Sequence, residues 1–331
     1  MGLLIKGLFL IFFILMGERG FTKEMDIQSK KVLDEVNAMD LPSMEALSPK
    51  EARKLLEEFV WHSPIKLKAI ENIEIPGPKG YIPARVYIPN GKGPFAILLY
   101  FHGGGWVFGS LDLYDPVCRA LADKAGVVVV AVDYRLAPEH KFPEPLEDCF
   151  TSLKWAESHI DKFEGNGKRI IVAGDSAGGN LAASVCLLSR DRKGPIPVFQ
   201  ILMYPVTDFN FSTQTYNNFA KGYFVSKAEM EYFWEQYLNN PEEGENPYAS
   251  PLKAKNLASL PPAMIVLAEY DLLFDEGRQY AEKLQAAGVP VVLKTYPTIH
   301  GFIGMYNQID MGRQALDDIS SQLKEFLKSN K

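Results

Sequence analysis

The sequence is poor in cysteine and has no paired thiols. It holds 3 cysteines in 331 residues, Cys118, Cys149 and Cys186, and none of them forms a C-x-x-C pair. A disulfide framework needs an even number of cysteines, and a structural zinc site needs closely spaced ligands. The sequence argues against both, and we expect three buried free thiols.

Positive charge is also scarce. The chain has 35 Lys and Arg against 41 Asp and Glu, a net charge of −6, and no basic run is longer than SKK or GKR. A surface that follows nucleic-acid phosphates needs more cationic side chains, so we expect no nucleic-acid partner. The motifs H-E-x-x-H and G-x-x-x-x-G-K-[ST] are absent as well, which gives no support to a zinc peptidase or a P-loop enzyme. We expect no metal site and no nucleotide-dependent chemistry.

Long hydrophobic runs are the third absence. The longest apolar stretch, GLFLIFFILMG at residues 7–17, is shorter than the roughly 20 residues that a membrane-spanning helix needs. No A-x-A-like cleavage site follows it. Residues 1–24 therefore form an apolar extension with three open interpretations: a short anchor, a signal segment, or a translation start that really lies at Met16 or Met25. We expect a cytoplasmic protein, with anchoring or export as the alternative, and weak membrane association through residues 3–17 stays open.

Beyond about residue 60, apolar runs alternate with helix-length segments. AIENIEI and IPARVYIP predict an antiparallel hairpin because few turn residues separate them. Six further apolar runs follow: FAILLYFH, VVVVAVDY, RIIVAGD, VFQILMYP, MIVLAEYD and VPVVLKTYP. Near-continuous apolar strands are typical of a parallel sheet that is buried on both faces. We predict a single α/β domain over residues 25–331, with a mostly parallel eight-stranded sheet and helices on both faces. The main predicted helices cover residues 113–125, 145–160, 177–190 and 275–287.

Two segments depart from this alternation. Residues 25–60 have a charged, helical pattern, and residues 207–240 contain ten aromatic residues in a chain that is 12% aromatic. An amphipathic helix that packs its rings into the core is one interpretation of the second segment. A cap over the strand ends that lines an apolar pocket is the other, and the two overlap because a cap also packs. We predict a helical cap built from residues 25–60 and 207–240.

The motif Gly174-Asp175-Ser176-Ala177-Gly178 carries the clearest chemical signal. It follows an apolar strand and precedes a helix-capable run, which is the strand–turn–helix setting of a nucleophile elbow. Glycines flank the serine because side chains there would clash in so sharp a turn. The turn also directs the N–H groups of the next helix toward the reacting atom. The sequence therefore predicts that Ser176 is a nucleophile.

A serine nucleophile needs a base, and an acid that orients the base. In hydrolases with this elbow, the chain order is serine, acid, histidine. Of the 5 histidines only His300 lies after Ser176, so it is the predicted base. Asp271, directly after the run MIVLAEY, is the predicted acid. Asp275 is the alternative, although its place at the start of the next helix favours a contact with the helix dipole.

The stretch His102-Gly103-Gly104-Gly105 directly follows a buried strand. Glycine loses more conformational entropy on folding than any other residue, so three in a row need a reason. An oxyanion hole supplies one, because its backbone N–H groups must come within about 3 Å of the developing negative charge. We predict that Gly104 and Gly105 supply such donors. Ala177, the residue after the nucleophile, is the third predicted donor.

Five motifs stand in one consistent order: HGGGW, DYRLAPEHKFP, GDSAGGNLA, LPPAMIVLAEYD and IHGF. Through them the chain, from about Met25 to its C-terminus, resembles the hormone-sensitive-lipase family of esterases, whose relatives include arylacetamide deacetylases and microbial carboxylesterases. The resemblance implies an α/β-hydrolase fold with a cap, hydrolysis of short- to medium-chain acyl esters, and no cofactor. Two positions depart from the family pattern: Leu272 stands where proline is common, and Thr298 stands where glycine is common.

Other functions share these residues. An amide hydrolase or deacetylase and a long-chain lipase use the same triad, and both stay open as alternatives to a carboxylesterase. A non-catalytic small-molecule receptor is disfavoured, because the plant gibberellin receptors that resemble this family lack the histidine present here as His300. Residues 133–145 are interpreted as a structural loop that Asp133 and Arg135 hold by charged hydrogen bonds. The oligomeric state stays open, with a homodimer as one alternative.

Overall fold

The structure, a computed structural model, describes residues 24–39 and 41–330 of the chain. The extension predicted over residues 1–24 lies outside this part of the chain except for Glu24, so its three interpretations stay predictions. Within the described residues, no helix has the length and apolar character needed to cross a bilayer.

Eight strands form a mixed sheet within the described part of the chain. They are β1 (Ala69–Gly77), β2 (Gly80–Ile88), β3 (Phe95–Phe101), β4 (Val128–Val132), β5 (Gly165–Asp175), β6 (Phe199–Met203), β7 (Ala263–Tyr270) and β8 (Val291–Ile299). Their order is β1-β2-β4-β3-β5-β6-β7-β8. β1 and β2 form the predicted antiparallel hairpin, β2 is also antiparallel to β4, and the remaining pairs are parallel. The prediction of a mostly parallel eight-stranded sheet is confirmed.

Helices cover both faces of the sheet. They are α1 (Ile27–Ala38), α2 (Pro49–Glu57), α3 (Asp115–Ala125), α4 (Glu144–His159), α5 (Ala177–Asp191), α6 (Gln214–Asn218), α7 (Lys227–Tyr237), α8 (Phe274–Ala286) and α9 (Asp310–Ser329). Side chains of β3 alternate between two cores: Ile97, Leu99 and Phe101 belong to the core that also holds residues of α4, α5 and α8. Leu98 and Tyr100 belong to the core on the other face, which holds residues of α1, α3 and α9. Because both faces are buried, the strands read as continuous apolar runs.

Local signals set the boundaries of α2. The helix begins with a capping box, in which the Ser48 hydroxyl and the Glu51 carboxylate bond reciprocally to each other's backbone N–H groups. It ends at Glu57, although the helical pattern predicts a helix to about residue 60. The chain tightens there, since the N–H of Phe59 bonds to a carbonyl three residues back, and the Phe59 side chain is 46% exposed. The predicted end of this helix is therefore wrong by a few residues.

The carboxyl ends of the parallel strands meet at one edge of the sheet. His102 follows β3, Ser176 follows β5, Asp271 follows β7 and His300 follows β8. Parallel alignment brings these four strand ends to the same side of the molecule, where open α/β sheets carry their sites.

The aromatic segment of residues 207–240 lies between β6 and β7 in the chain and packs onto this edge of the sheet. Phe233 of α7 lies directly on Gly105, where a Cβ atom would come within 2.4 Å of the phenyl ring. Trp106 stacks flat on Tyr237, with ring centroids 4.2 Å apart. The rings of this segment therefore fix the loop that follows β3, as the packing interpretation requires.

The N-terminal segment reaches the same loop from α2. The guanidinium of Arg53 donates to the carbonyl oxygens of Val107 and Ala137, at 2.8 Å each. It also forms a two-pronged ion pair with Glu139. Both predicted cap segments thus contact the loops around the strand ends. That they also cover a substrate pocket stays a prediction.

Candidate active site

Ser176 occupies a sharp turn between β5 and α5. Its backbone φ and ψ are 53° and −121°, a combination that residues with a side chain rarely adopt. The N–H of Ser176 donates to the carbonyl of Met203 at 2.9 Å, and the Ser176 carbonyl accepts from Asn180 at 3.0 Å. Strand and helix therefore hold the strained residue from both sides, as a nucleophile elbow requires.

The glycines that flank Ser176 allow close contacts within this turn. A Cβ atom on Gly174 would lie 2.2 Å from the carbonyl oxygen of Gly178. A Cβ atom on Gly178 would lie 1.9 Å from the carbonyl oxygen of Phe101 on β3. Both distances are far below van der Waals contact, so the clash expected from the sequence is found at both positions.

Ser176, His300 and Asp271 form a continuous hydrogen-bonded row. The Ser176 Oγ lies 3.0 Å from His300 Nε2, and His300 Nδ1 lies 2.6 Å from Asp271 Oδ2. Ser176 is 8% exposed, His300 5% and Asp271 1%, so all three residues are buried and the exposed fraction decreases from serine to acid. The Tyr204 ring packs beside the imidazole, with centroids 4.8 Å apart. The structure therefore brings together the three side chains that the sequence singled out.

The acid loop after β7 holds the carboxylate of Asp271 in a fixed orientation. Oδ1 of Asp271 accepts the backbone N–H of Leu273 at 2.9 Å, which leaves Oδ2 for the imidazole. Leu272, which stands where the family commonly has proline, is 1% exposed, and Leu273 is fully buried. Buried side chains and a local hydrogen bond thus restrain the loop at the position where a proline ring is absent.

Asp275, the alternative acid, points elsewhere. It lies in the first turn of α8, and its Oδ2 accepts the N–H of Thr215 at 3.1 Å. Its Oδ1 lies 3.8 Å from the guanidinium of Arg278. The structure places it at the helix start, as its sequence position suggested, and places Asp271 rather than Asp275 beside the histidine.

The glycine stretch after β3 follows a path that side chains would block. Gly104 and Gly105 have φ values of 103° and 59°, in the region that favours glycine. A Cβ atom on Gly104 would lie 2.4 Å from the carbonyl oxygen of Phe108. Within residues 24–39 and 41–330, no hydrogen-bond acceptor is found for the N–H groups of Gly104, Gly105 or Ala177. These three N–H groups are therefore donors that no other described residue uses.

Asp175, next to the serine, was not singled out as a site residue by its sequence position. Its Oδ1 accepts the Tyr100 hydroxyl at 2.7 Å and the Gly103 N–H at 3.0 Å, and its Oδ2 accepts the Tyr114 hydroxyl at 3.3 Å. Burial raises the pKa of Asp175 to about 6, and these hydrogen bonds act in the opposite direction. Asp175 thus anchors the start of the glycine stretch. An acidic residue at the end of an otherwise apolar strand was the available signal.

His102 lies beneath the glycine stretch. Its Nδ1–H donates to the carbonyl of Gly103 at 2.8 Å, and its ring stacks on Tyr134 with centroids 4.4 Å apart. Burial lowers the pKa of His102 to about 4, so the ring is neutral at neutral pH. Its Nε2 has no hydrogen-bond partner among the described residues. A buried neutral histidine in this place supports the loop without adding charge to it.

The loop over residues 133–145 is held by only one of its two predicted anchors. Arg135 bonds to Asp148 at 2.7 and 2.8 Å and also pairs with Glu144, as expected. The Asp133 carboxylate makes no hydrogen bond in the described part of the chain, and its Oδ1 lies 4.0 Å from His102 Nε2. The predicted charged hydrogen bond of Asp133 is therefore wrong. Burial raises the pKa of this carboxyl group to about 6.

Thr298, the second departure from the family pattern, bonds to the N-terminal segment. Its Oγ1 lies 2.6 Å from the Oγ of Ser29 on α1, and both residues are buried. The backbone N–H of Asp26 donates to the carbonyl of Pro297 at 2.7 Å. α1 is therefore fastened to the end of β8, two residues before His300.

Among residues 24–39 and 41–330, no three His, Cys, Asp or Glu side chains gather into a group that could hold a metal ion. Cys118, Cys149 and Cys186 are free and buried.

The chain is similar in sequence and in structure to known hydrolases and esterases. A family model described as alpha/beta hydrolase fold matches residues 98–304. Carboxylic ester hydrolase LipN of Mycobacterium tuberculosis is 41% identical over 265 residues, which are 78% of this chain and 70% of LipN. Ethyl acetate hydrolase of Pseudomonas putida is 34% identical over 293 residues, which are 86% of this chain and 92% of that enzyme. A crystallised thermostable esterase from Pseudomonas putida is 34% identical, with a TM-score of 0.88 over 93% of this chain and 99% of its own.

Fold, elbow and relatives together define the class, a serine ester hydrolase with the α/β-hydrolase fold. Within that class the chain belongs to the hormone-sensitive-lipase-like family, which the five sequence motifs had predicted.

Proposed function

We propose that this chain is a carboxylesterase that cleaves short- to medium-chain acyl esters with Ser176, His300 and Asp271 through an acyl-enzyme. The observation that carries the proposal is the hydrogen-bonded row of the three side chains, with 3.0 Å between serine and imidazole and 2.6 Å between imidazole and carboxylate. Both distances lie within the reach that a nucleophile, its base and the orienting acid need.

In the first half of the reaction, the Ser176 hydroxyl donates its proton to His300 Nε2 while Oγ attacks the ester carbonyl carbon. The carbonyl π electrons move to oxygen and form a tetrahedral oxyanion. Asp271 accepts the Nδ1–H of the imidazole, keeps the ring in the required tautomer and stabilises its positive charge. The imidazolium then gives its proton to the leaving alkoxide, the carbon–oxygen bond breaks, and the acyl group stays on Ser176.

In the second half, a water molecule takes the place of the alcohol. His300 accepts a proton from this water as its oxygen attacks the acyl carbon, and a second oxyanion forms. When this intermediate collapses, the bond to Ser176 Oγ breaks and the proton returns to that oxygen. The carboxylic acid leaves, and the serine hydroxyl is restored.

The N–H groups of Gly104, Gly105 and Ala177 bind the oxyanion in this proposal. They have no acceptor among the described residues, and Ala177 is the first residue of α5, whose N-terminus favours negative charge. Positive φ values at both glycines support the proposal, since they turn the backbone in a way that a side chain would oppose. Preorganised donors of this kind contribute about 3 to 4 kcal/mol each to transition-state stabilisation.

The acyl-chain preference rests on the cap, built from residues 25–60 and 207–240. Phe233 covers Gly105, and Phe108 packs edge-on against Phe233 with centroids 5.1 Å apart. Rings this close to the proposed oxyanion donors limit the space for an acyl chain. Each buried CH₂ contributes about 0.8 kcal/mol until the chain meets such a wall, after which extra methylenes cost about 1 to 3 kcal/mol.

A panel of p-nitrophenyl esters from acetate to palmitate tests this function, with the Ser176→Ala variant as the control for background hydrolysis. We expect kcat/KM to rise to butyrate or hexanoate and then to fall steeply. A profile that still rises at palmitate would favour a lipase. Greater activity on a matched anilide than on the corresponding ester would favour an amide hydrolase.

A further inference from the structure

A threonine in the aromatic segment holds the turn that aims the acid. Thr215 lies in α6, is 2% exposed, and is about sixty residues away in sequence from the acid loop that it contacts. Its Oγ1–H donates to the carbonyl oxygen of Leu272 at 2.8 Å. The same Oγ1 accepts the N–H of Asp275 at 3.3 Å, and the N–H of Thr215 donates to Asp275 Oδ2 at 3.1 Å.

This arrangement places one hydroxyl inside a turn. In an ordinary β-turn the carbonyl of the first residue accepts the N–H of the fourth. In the segment from Leu272 to Asp275, the Thr215 hydroxyl stands between these two groups and bonds to both. Within the loop, the Phe274 N–H donates to the Asp271 carbonyl at 3.1 Å and closes the turn that starts at Asp271. The Thr215 hydroxyl braces the same loop from outside.

The residues that Thr215 braces directly follow Asp271, so their geometry sets where the carboxylate points. The N–H of Leu273, within the turn, donates to Asp271 Oδ1 at 2.9 Å, while Asp271 Oδ2 bonds to His300. If the turn opened, the Leu273 N–H would move and the carboxylate would lose one of its two fixed bonds. A misplacement of about 1 Å in a catalytic group costs roughly 100-fold in rate.

We propose that Thr215 is a positioning residue: its hydroxyl braces the acid turn, orients Asp271 toward His300, and thereby couples the acid to the aromatic segment. This inference rests on the proposed function, since it needs Asp271 to act through His300. The coupling joins the acid loop to the segment proposed to cover the substrate, because α6 belongs to that segment.

The test compares Thr215→Val with Thr215→Ser. Valine keeps the shape of threonine but loses the hydroxyl, whereas serine keeps the hydroxyl. With p-nitrophenyl butyrate, we expect Thr215→Val to lower kcat about 10- to 100-fold with KM changed less than about twofold. Thr215→Ser should restore kcat to within about threefold of wild type. If Thr215→Val does not fold, the Ser and Ala variants at this position form the pair, and the same difference in kcat is expected between them.

Ser152→Ala is the matched control. Ser152 is a fully buried residue of α4 whose hydroxyl donates to the Asp148 carbonyl at 2.9 Å, much as Thr215 donates to Leu272. Its loss should lower the melting temperature and leave kcat within about twofold of wild type.

A second readout does not depend on turnover. The proton shared by His300 Nδ1 and Asp271 Oδ2 should give a low-field resonance in the proton NMR spectrum, since the two atoms are 2.6 Å apart. We expect this resonance to move upfield or broaden in Thr215→Val and to be unchanged in Ser152→Ala. Unchanged kcat and an unchanged resonance in the hydroxyl-free variant would overturn the inference. If Ser176→Ala kept full activity, the proposed function would fail first, and the two failures are therefore distinguishable.

Discussion

At the scale of single residues, the site combines a strained backbone conformation with buried charges, and both are unfavourable for folding. Ser176 has a positive φ, which costs a residue with a side chain about 1 to 3 kcal/mol, and the contacts of β5, β6 and α5 impose it. The carboxylates of Asp175 and Asp271 are buried nearby, at 5% and 1% exposure. Strain and buried charge at one place are what a preorganised site requires.

The triad gives the first prediction. Ser176→Ala and His300→Ala should each reduce kcat by a factor on the order of 10⁴ to 10⁶, and the double variant should be little worse, because the two act as a unit. Asp271→Asn should lose somewhat less. Asp275→Asn is the control for the acid, since this carboxylate faces Thr215 and Arg278. A greater loss in Asp275→Asn than in Asp271→Asn, with both variants folded, would transfer the acid role to Asp275.

Asp175 gives a prediction about pH and stability. Its pKa is raised in the folded protein from 3.8 to about 6, so the folded state holds this proton more tightly than the unfolded state between those values. The contribution of Asp175 to stability therefore decreases as pH rises from about 4 to about 6, by up to roughly 3 kcal/mol. Asp175→Asn has no such titration. The free energy of unfolding of wild type relative to this variant should fall across that window.

Urea unfolding at several pH values from 4 to 7 measures this difference, and titrations common to both proteins cancel. Asp123→Asn, at an exposed position on α3, is the control and should follow the wild-type curve. Parallel curves for wild type and Asp175→Asn would contradict the prediction.

The sequence predicts those candidate site residues that a motif or a chain-order rule defines. The flanking glycines single out Ser176, and His300 is the only histidine that follows it in the chain. Thr215 and Tyr204 have no such signal, because their contacts join segments about sixty to a hundred residues apart. Contacts of that kind depend on packing, which a single sequence does not display.

At the scale of elements, the sequence predicted the sheet well because both of its faces are buried. β4, with the sequence VVVAV, is buried along its whole length. The end of α2 was missed because tertiary packing, rather than helix propensity, decides where a short helix stops. The roles of individual rings in residues 207–240 could not be predicted from the sequence either, since amphipathic packing and a pocket lining need the same residue types.

Two of those rings, Phe219 and Phe224, differ in burial and in their neighbours. Phe219 is 5% exposed and packs with Tyr223 at 4.7 Å, whereas Phe224 is 40% exposed and lies near Gly301, next to the histidine. Phe224→Ala should shift the acyl-chain optimum toward longer esters with little change in melting temperature. Phe219→Ala should lower the free energy of unfolding by about 3 kcal/mol or more, since it opens a buried space.

The p-nitrophenyl ester series and thermal melts on both variants check these expectations. Each variant serves as the control for the other, because both remove a phenyl ring from the same segment. An unchanged optimum in Phe224→Ala would remove this ring from the acyl pocket, and an unchanged melting temperature in Phe219→Ala would remove Phe219 from the core.

At the scale of the whole molecule, the N-terminal segment belongs to the functional unit from about Asp26 onward. Asp26 and Ser29 bond to Pro297 and Thr298 at the end of β8. A chain that starts at Met25 keeps these contacts, and its kcat/KM and melting temperature should stay close to those of the full chain.

A chain that starts at residue 40 loses α1, including the buried side chains of Val32 and Leu33. Burial of these two alone corresponds to about 3 to 6 kcal/mol, so the shorter chain should be markedly less stable and at least about tenfold less active. Denaturant unfolding and esterase assays on both truncated chains measure this. Equal stability and activity in the two would show that α1 is dispensable.

The position of β8 in the sheet has a consequence for how the enzyme loses activity on heating. Among the described strands, β8 stands last in the sheet order and pairs with β7 alone, whereas β5, which directly precedes the serine, lies in the interior of the sheet. Margins of a sheet open in sub-global fluctuations more readily than its centre. Amide protons of β8 should therefore exchange with solvent sooner than those of β5. The histidine leaves the serine in these open states while most of the fold persists. On heating, esterase activity should disappear a few degrees before the far-ultraviolet circular dichroism does.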